Sequence, residues 1–350
     1  MLEKKAVFAV PGDLNALTGG YIYEKHVYEG LMRDGWDITL LSLPEGFPDP
    51  SAETIEAVVR AFDTLREETP VLLDGFLPGA MPPEAFAHLR APFVAITHHP
   101  QGYETGLDPA RAAQLCAIER ANLARARHVI VPSPHTAEVL QDDFAVPQRR
   151  ITVAAPGVHR PDTLTDARAE PPVILCVGQL VPRKGQDVLL DALASLSSLD
   201  WQARLVGRGV DPTYVDALHR QARRLGLSDR VTFVGEASAD ALSAEYAQAT
   251  VFALPTRYEG YGMVFAEALV HGLPIVSCSA GAVPQTVPAD AGILAPTDDA
   301  TAIASALETV LTDGERRRAL AAAAALHGRA LPSWDDTALQ VGAVLTAVRG

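Results

Sequence analysis

Short apolar runs alternate with longer stretches of helical periodicity along the whole chain. Near-continuous apolar strands separated by helices are typical of parallel sheets that are covered on both faces. The pattern occurs twice, so we predict an α/β protein with two doubly wound domains. The predicted strands are Ala6–Val10, Ile38–Leu43, Val71–Asp74, Phe93–Thr97, Val129–Val131, Ile151–Ala155, Val173–Val177, Ala203–Val206, Val231–Val234, Val251–Leu254 and Pro274–Ser277. The predicted helices include Tyr21–Asp34, Ala110–Ala126, Gln186–Ser195, Pro212–Leu225 and Ala300–Leu311.

A polar segment divides the two repeats of this pattern. Residues 160–172 (RPDTLTDARAEPP) carry three prolines and no apolar period, which is typical of a linker. We therefore expect one domain over residues 1–165 and a second over residues 170–330. Residues 331–350 start with a break at the sequence LPSW, beyond which we predict a last helix over Asp335–Val348.

Composition narrows the class of protein. The 350 residues are 48% hydrophobic and 21% charged, which suits two domains with their own cores. A net charge of −14 argues against nucleic-acid binding and limits any contact with an anionic membrane to a peripheral one. No apolar run approaches the roughly 20 residues that span a bilayer. Because the start of the chain lacks a signal-peptide pattern, we expect a cytoplasmic protein.

The three cysteines, Cys116, Cys176 and Cys278, are far apart in the sequence. A zinc site favours paired spacing and a disulfide framework favours more cysteines. We interpret them as small buried apolar residues.

Two segments of the first half are candidates for ligand contact. The loop Pro11–Gly20 follows the first strand, and Gly19 and Gly20 precede a helix, where a ligand can approach the backbone. A plain strand–helix turn explains these glycines equally well, and the dinucleotide fingerprint is absent. His98 and His99 end a strand, at the edge where open α/β sheets bind ligands. Metal binding would need more ligands than the neighbouring acids offer, so we expect a sugar contact or a structural role.

The loop Gly178–Gly185 (GQLVPRKG) is a candidate anion site in the second half. It follows a strand and opens a helix, and it carries Arg183 and Lys184 near the helix N-terminus. The Walker A pattern does not fit. Gly207 and Val234 lie at the ends of later strands, where backbone groups can line a base pocket. For each of these segments an ordinary turn is the alternative.

Glu259 and Glu267 lie eight residues apart around Gly260 and Gly262. Glycines let backbone N–H groups approach a ligand, and the start of the following helix favours an anion. The second carboxylate falls a little over two helical turns later, near the same face. Acids also favour N-terminal turns without any ligand. The full pattern, which stops at the sequence GLP, is more specific than its parts and suggests a nucleotide-sugar site.

These motifs resemble those of glycosyltransferase family 4, the retaining enzymes with the GT-B fold. The E-x7-E motif matches Glu259 and Glu267, the phosphate loop matches Gly178–Gly185, and the V-G-x-G turn matches Val206–Gly209. The glycine-rich first loop and the histidine after a strand match more loosely. The chain departs from the family at Gln179, where an arginine is usual, and at residues 156–159 (PGVH), which lack the usual asparagine.

The resemblance implies two Rossmann-like domains facing across a cleft, with the C-terminal helix crossing back onto the N-terminal domain. It implies a UDP- or GDP-sugar donor and a carbohydrate, small-molecule or lipid-linked acceptor. The implied catalytic residues are His99, Lys184 and Glu259, and the implied acceptor-side residues are Gly19 and His98. The implied donor-binding residues are Gly20, Gln179, Arg183, Lys184, Gly207, Val234, Glu259, Gly260, Tyr261, Gly262 and Glu267.

By the same resemblance, Glu267 takes the ribose, Glu259 the sugar hydroxyls, and Lys184 the charge on the leaving diphosphate. We therefore expect a retaining glycosyltransferase that uses no metal, since the chain has no D-x-D motif, and no cofactor beyond the co-substrate. The alternatives are a GT-B protein that binds a nucleotide sugar or glycan without turnover, and a GT-B nucleotide-sugar epimerase or phosphorylase.

Overall fold

In the computed structural model, residues 4–161 and 169–349 are described. Within these residues, two parallel sheets of six strands each account for the predicted apolar runs. The strands are β1 Lys5–Pro11, β2 Asp37–Leu43, β3 Val71–Leu73, β4 Phe93–Ile96, β5 His128–Val131, β6 Ile151–Val153, β7 Val173–Val177, β8 Gln202–Val206, β9 Val231–Gly235, β10 Val251–Leu254, β11 Ile275–Cys278 and β12 Gly292–Ala295.

Helices flank both sheets. They are α1 Gly19–Arg33, α2 Ala52–Phe62, α3 Phe76–Ala80, α4 Pro83–Phe86, α5 Pro109–Leu123, α6 Pro134–Asp142, α7 Gln186–Ala194, α8 Pro212–Arg224, α9 Ala239–Gln248, α10 Met263–Val270, α11 Val283–Thr286, α12 Ala300–Thr312, α13 Gly314–Ala330 and α14 Trp334–Ala347. The helix ends differ from the predicted ones by at most three residues. None of the helices in the described ranges has the length and apolar character that crossing a bilayer requires.

The chain divides into two compact units, Met1–Gly157 with Pro332–Gly350 and Val158–Leu331. The division after Gly157 comes before the predicted linker, whose residues 162–168 lie outside the described residues. Each unit has its own apolar core. Cys176 and Cys278 are buried in the second core, as predicted, whereas Cys116 on α5 is only half-buried.

The order of the strands determines which loops lie beside a reversal in each sheet. The first sheet runs β2-β1-β3-β4-β5-β6 and the second β12-β11-β10-β7-β8-β9, with every neighbouring pair parallel. In each sheet the order reverses once, between β1 and β3 and between β7 and β10. Open α/β sheets bind their ligands at the carboxyl ends of the strands beside such a reversal. The loops after β1, β3, β7 and β10 therefore lie where a ligand is expected to bind.

Two details differ from the sequence-based prediction. Gly19 and Gly20 are not in a loop but form the first two residues of α1. The reason is Thr18, whose side chain accepts a hydrogen bond from the backbone N–H of Tyr21 and so caps the helix earlier than expected. Strand β12 was not predicted, because only Ile293 and Leu294 of its sequence GILA are strongly apolar.

The last helix packs on α1 within the first unit. A Cβ added at Gly30 would lie 2.4 Å from the Cβ of Ala338, so the small residue permits the close approach. Thr337 Oγ1 donates to the backbone oxygen of Ala155 at 2.7 Å, and the Trp334 ring stacks on His26 with centroids 4.2 Å apart. Helix α14 thus completes the core of the first unit from the far end of the chain.

Candidate functional site

Glu259 lies at the centre of a charged cluster at the carboxyl ends of the central strands β7 and β10. It is only 5% exposed, and its Oε1 accepts a hydrogen bond from Lys184 Nζ at 2.7 Å. Thr256 Oγ1 lies 3.0 Å from the same oxygen, and Arg183 Nη1 lies 3.5 Å from Oε2. The cluster therefore joins one carboxylate to two cations.

The cations decide the ionisation of Glu259. Burial alone would raise its pKa, but the charges of Lys184 and Arg183 and the hydrogen bonds from Lys184 and Thr256 outweigh burial and lower it. Glu259 is ionised at neutral pH, and the cluster carries one net positive charge. A site of this kind suits an anionic group such as a diphosphate.

Backbone geometry brings the two loops of this cluster together. Gly185 ends the first loop with φ of +69°, and a Cβ there would lie 2.0 Å from the carbonyl oxygen of Pro255. Only glycine fits this approach. The backbone N–H of Arg257 donates to the carbonyl of Arg183 at 2.7 Å across the same gap. The phosphate-loop candidate and the Glu259 loop are therefore one structural unit.

Arg257 fixes these two loops from outside. Its Nη2 lies 2.7 Å from Asp187 Oδ2, and its Nε lies 2.7 Å from Asp298 Oδ1. Asp187 stands in the first turn of α7, directly after the loop that carries Lys184. In the sequence Arg257 is only a residue near Glu259, because its two partners lie 70 and 41 residues away.

Glu267 lies on α10, which begins after Gly262 in the left-handed conformation. Its Oε2 accepts a hydrogen bond from the Tyr246 hydroxyl at 2.7 Å. Burial raises the pKa of Glu267, against the smaller lowering effects of this hydrogen bond and of the Lys184 charge. The ring of Tyr246 stacks on His271 with centroids 5.1 Å apart. Tyr246 was missed in the sequence, where it is indistinguishable from an ordinary apolar core residue.

The remaining candidates of the second unit lie in β9 and in the loops after β7, β8 and β10. Gln179 follows β7 and its carbonyl oxygen accepts from Gln186 Nε2 at 2.8 Å. A Cβ at Gly207 would lie 2.0 Å from the carbonyl oxygen of Gly178, so the turn after β8 touches the phosphate-loop candidate. The other three are placed as follows: Val234 within β9, and Gly260 and Tyr261 in the loop between Glu259 and α10.

In the first unit the two adjacent histidines diverge. A Cβ at Gly20 would lie 3.2 Å from Cδ2 of His98, so His98 packs on the first turn of α1. His99 instead has its Nε2 3.3 Å from Glu104 Oε2. A Cβ added at Gly19 would meet no atom of the described residues within 4 Å. The structure therefore joins His98, rather than His99, to the predicted glycine pair, and it does so through Gly20.

A buried carboxyl pair lies beneath His98. Glu24 of α1 is 0% exposed, and its Oε1 lies 3.3 Å from His98 Nε2. Asp74, directly after β3, is 3% exposed and accepts a hydrogen bond from the backbone N–H of Phe76 at 2.7 Å. Burial raises the pKa of Glu24 to about 8 and that of Asp74 well above its usual range. This pair was missed in the sequence, where no motif joins the two residues.

Family models match both halves of the chain. The model described as "Glycosyltransferase Family 4" matches residues 22–160, and the one described as "Glycosyl transferases group 1" matches residues 165–327. The chain belongs to glycosyltransferase family 4.

Curated relatives within this family are similar over part of their length. A GDP-mannose-dependent alpha-(1-6)-phosphatidylinositol monomannoside mannosyltransferase of Mycobacterium tuberculosis is 34% identical over 214 residues, covering 56% of this chain and 55% of the relative. A D-inositol 3-phosphate glycosyltransferase of Nocardia farcinica is 30% identical over 237 residues, covering 63% and 52%. The chain thus spans about half the length of the curated relatives it matches.

Solved structures agree on the architecture of this family member. Sucrose-phosphate synthase from Thermosynechococcus elongatus has a TM-score of 0.83 at 24% identity, covering 98% of each chain. Anabaena HepE in complex with UDP and glucose has a TM-score of 0.74 at 19% identity, covering 99% of this chain and 100% of HepE. The predicted GT-B fold is confirmed.

Metal ligands do not cluster in the described part of this family 4 chain. No group of three or more His, Cys, Asp or Glu residues within residues 4–161 and 169–349 is placed to hold a metal ion. In the Glu259 cluster the positively charged side chains are those of Lys184 and Arg183.

Proposed function

We propose that this chain is a retaining glycosyltransferase that moves a sugar from a nucleotide diphosphate sugar to a hydroxyl of an acceptor. The observation that carries the proposal is the cluster of Lys184, Arg183 and Glu259 at the sheet reversal of the second unit. It combines a net positive charge, which suits a diphosphate, with a buried ionised carboxylate, which suits sugar hydroxyls.

The donor is assigned to the second unit. Lys184 and Arg183 bind the diphosphate and stabilise the charge that grows on it as the sugar departs, an electrostatic contribution that is often the largest in catalysis. Glu259 Oε1 is already held by Lys184 at 2.7 Å. Oε2 lies 3.5 Å from Arg183, which is longer than a hydrogen bond, so we assign the sugar hydroxyl to Oε2. Glu267 is assigned to the ribose.

The acceptor is assigned to the first unit. We keep His98 on the acceptor side and also give it the catalytic role that the resemblance implied for His99, since His98 packs on Gly20. The acceptor is a polyol or sugar hydroxyl on a small molecule, a glycan or a lipid-linked carrier. The leaving phosphate oxygen takes the proton of the acceptor hydroxyl. Glu259 and Glu267 therefore do not act as a hydrolytic acid–base pair. No cofactor besides the co-substrate takes part.

The base of the donor is proposed from the relatives. The curated relative at 34% identity is named as GDP-mannose-dependent, whereas HepE, crystallised with UDP, is 19% identical. GDP-mannose is therefore the first donor to test, with UDP-glucose as the comparison.

A thermal-shift panel followed by turnover tests the proposal. A donor that binds the native state raises the melting temperature by mass action. We expect GDP-mannose to raise it, and Glu259→Gln to abolish both the shift and slow donor hydrolysis. Asp290→Asn is the matched control, because Asp290 pairs with His327 at 2.9 Å on the exposed surface of the same unit. Equal losses in both variants would contradict the assignment.

The same assay separates the alternatives. Tight donor binding without turnover on any acceptor would favour a GT-B protein that only binds, an outcome that Gln179 makes worth testing. Interconversion of the donor sugar without an acceptor would favour an epimerase. We expect EDTA to leave turnover intact, and loss restored by Mn²⁺ would overturn the metal-free assignment.

A further inference from the structure

Three side chains from three elements meet at the sheet reversal of the first unit. Glu24 comes from α1, Asp74 follows β3, and His98 follows β4. His98 Nε2 lies 3.3 Å from Glu24 Oε1, and Gly20 covers the same edge of the imidazole. The edge that carries Nε2 is therefore turned into the protein, and Nδ1 is the ring nitrogen left for an external group.

The two carboxyls lack a neutralising lysine or arginine in the described part of the chain. Among the described residues, no side chain of either type forms an ion pair with Glu24 or Asp74. An isolated carboxylate buried in this way takes up a proton instead of remaining charged. The negative charge of Glu24 adds to burial in raising the pKa of Asp74, so the pair favours keeping a proton.

The other titratable groups around the pair are acids or phenols. Tyr21 and Tyr23 precede Glu24 on α1, and burial raises the pKa of both phenols. The charges of Asp74, Glu24, Glu45 and Asp13 raise the pKa of Tyr21 further. Burial lowers the pKa of His98, which keeps its ring neutral at neutral pH. These acids and phenols disfavour a second negative charge at the pair, and a neutral His98 supplies no positive charge to offset it.

We propose that Glu24 and Asp74 are positioning residues for His98: the protonated Glu24 carboxyl donates to Nε2 and fixes the imidazole as its Nδ1–H tautomer. His98 then presents an N–H donor to the acceptor. When Glu24 loses its proton, the only favourable contact is Nε2–H donating to the carboxylate, so the tautomer reverses and Nδ1 becomes an acceptor. The buried pair thus sets which hydrogen-bonding role His98 plays.

The inference rests on the proposed function only for the identity of the group that meets Nδ1. The tautomer itself is a property of the free protein. The neighbouring pair of His99 and Glu104 serves as the internal control, because it has the same 3.3 Å separation but a Glu104 side chain that is 41% exposed.

Long-range ¹H–¹⁵N NMR on protein labelled at the histidine ring nitrogens tests the tautomer directly. The His98 signals are assigned by their loss in His98→Gln. We expect the Nδ1–H tautomer at pH 6.5 and a reversal to Nε2–H as pH rises through about 8. An Nε2–H tautomer at pH 6.5, or a ring that protonates near pH 6.5 without regard to Glu24, would overturn the proposal.

Substitution sharpens the same measurement. In Glu24→Gln the amide N–H₂ can donate to Nε2 at every pH, so we expect Nδ1–H throughout and no reversal. Glu104→Gln should leave the His98 signals unchanged. If Glu24→Gln does not fold, the titration of the unsubstituted protein still decides, since it needs no variant.

Turnover gives an independent reading once a donor and an acceptor are in hand. We expect kcat/KM of the unsubstituted protein to fall about tenfold per pH unit above the reversal, and this alkaline limb to vanish in Glu24→Gln. A limb that persists in the variant contradicts the positioning role. If His98 reverses its tautomer but the protein transfers no sugar, the proposed function is contradicted. The role of Glu24 and Asp74 in positioning His98 then still stands.

Discussion

Glu259 and Glu24 are both buried carboxyls at a sheet reversal, one in each unit, and they differ in charge. Glu259 is 5% exposed and has a lowered pKa, whereas Glu24 is 0% exposed and has a pKa raised to about 8. Burial acts in the same direction on both. Lys184 and Arg183 reverse its effect at Glu259, and no lysine or arginine of the described ranges pairs with Glu24. The neighbours, not the depth of burial, decide which carboxyl is ionised.

The difference fits the two tasks that the proposed function assigns to the units. In that proposal the second unit uses positive charge to attract a diphosphate, and its carboxylate is tolerated because two cations surround it. The first unit in the same proposal orients a neutral imidazole toward a hydroxyl, and a protonated carboxyl does so without a counter-ion. The same sheet geometry therefore supports opposite electrostatics in the two units.

Removing the cation from the ionised site is expected to have the largest effect. Lys184→Met leaves Glu259 with Arg183 alone at 3.5 Å, so the pKa of Glu259 should rise toward the behaviour of Glu24. We expect donor turnover to fall about 10²- to 10³-fold, as when a stabiliser of transition-state charge is lost. Steady-state kinetics with the donor identified by thermal shift measure this.

Lys4→Met provides the matched control for this loss. Lys4 Nζ lies 2.8 Å from Asp34 Oδ2, much like the Lys184 pair, but its side chain is 44% exposed. Exposed pairs of this kind contribute little to stability. Turnover in Lys184→Met equal to that in Lys4→Met would show that the buried pair is structural only.

The stability of the two sites should depend on pH with opposite sign. Glu24 has a native pKa of about 8 against an ordinary value of 4.5, so the native state holds an extra proton between these values. The free energy of unfolding therefore falls as pH rises through that window, by on the order of a few kcal/mol. Glu259, with its lowered pKa, contributes stability above 4.5 that is lost as pH falls through its native pKa.

Urea unfolding of two single variants separates these contributions. Glu24→Gln should flatten the loss of stability between about pH 5 and 8 and leave the acid side unchanged. Glu259→Gln should remove stability mainly at neutral pH and flatten the acid side. If both variants keep the full pH profile of the unsubstituted protein, the contrast between the two carboxyls is wrong.

The sequence carries the fold well because the strands have short, strongly apolar runs. Val173–Val177 and Val251–Leu254 were predicted to the residue, and both are fully buried. Strand β12 escaped prediction because Gly292–Ala295 has only two strongly apolar residues, whereas the equally short Val251–Leu254 has three. The start of α1 was wrong because the cap at Thr18, and not the glycine pair, sets it.

The sites divide in the same way. Glu259, Glu267 and Lys184 lie in local motifs, so spacing along the chain identifies them. Glu24 and Asp74 come together only through sheet order, and nothing local distinguishes Glu24 from a polar residue on the outer face of a helix. Part of what encloses α1 is α14, about 300 residues further on, which no window of the sequence can anticipate.

Glu267 is the intermediate case and carries the smallest predicted effect. Burial raises its pKa as at Glu24, yet Tyr246 donates to it at 2.7 Å and the Lys184 charge lowers the pKa in part. Tyr246→Phe removes the hydroxyl and keeps the ring that stacks on His271. A hydrogen bond to a charged group is worth about 1.5–3 kcal/mol, and part of that will be recovered by the ribose, so we expect a donor Kd about five- to tenfold weaker with little change in fold.

Tyr214→Phe is the control for the Tyr246 variant. Its hydroxyl lies 3.1 Å from Asp187 Oδ1, so this variant also removes a phenol from a carboxylate of the second unit, but away from Glu267. Isothermal titration with the donor nucleotide compares the two. A weaker Kd in Tyr246→Phe alone supports a Glu267 oriented by its phenol partner. Equal Kd values in the two variants would mean that burial by itself holds Glu267 in place, as it holds Glu24. The contrast between the buried carboxyls of the two units would then depend only on the presence or absence of Lys184.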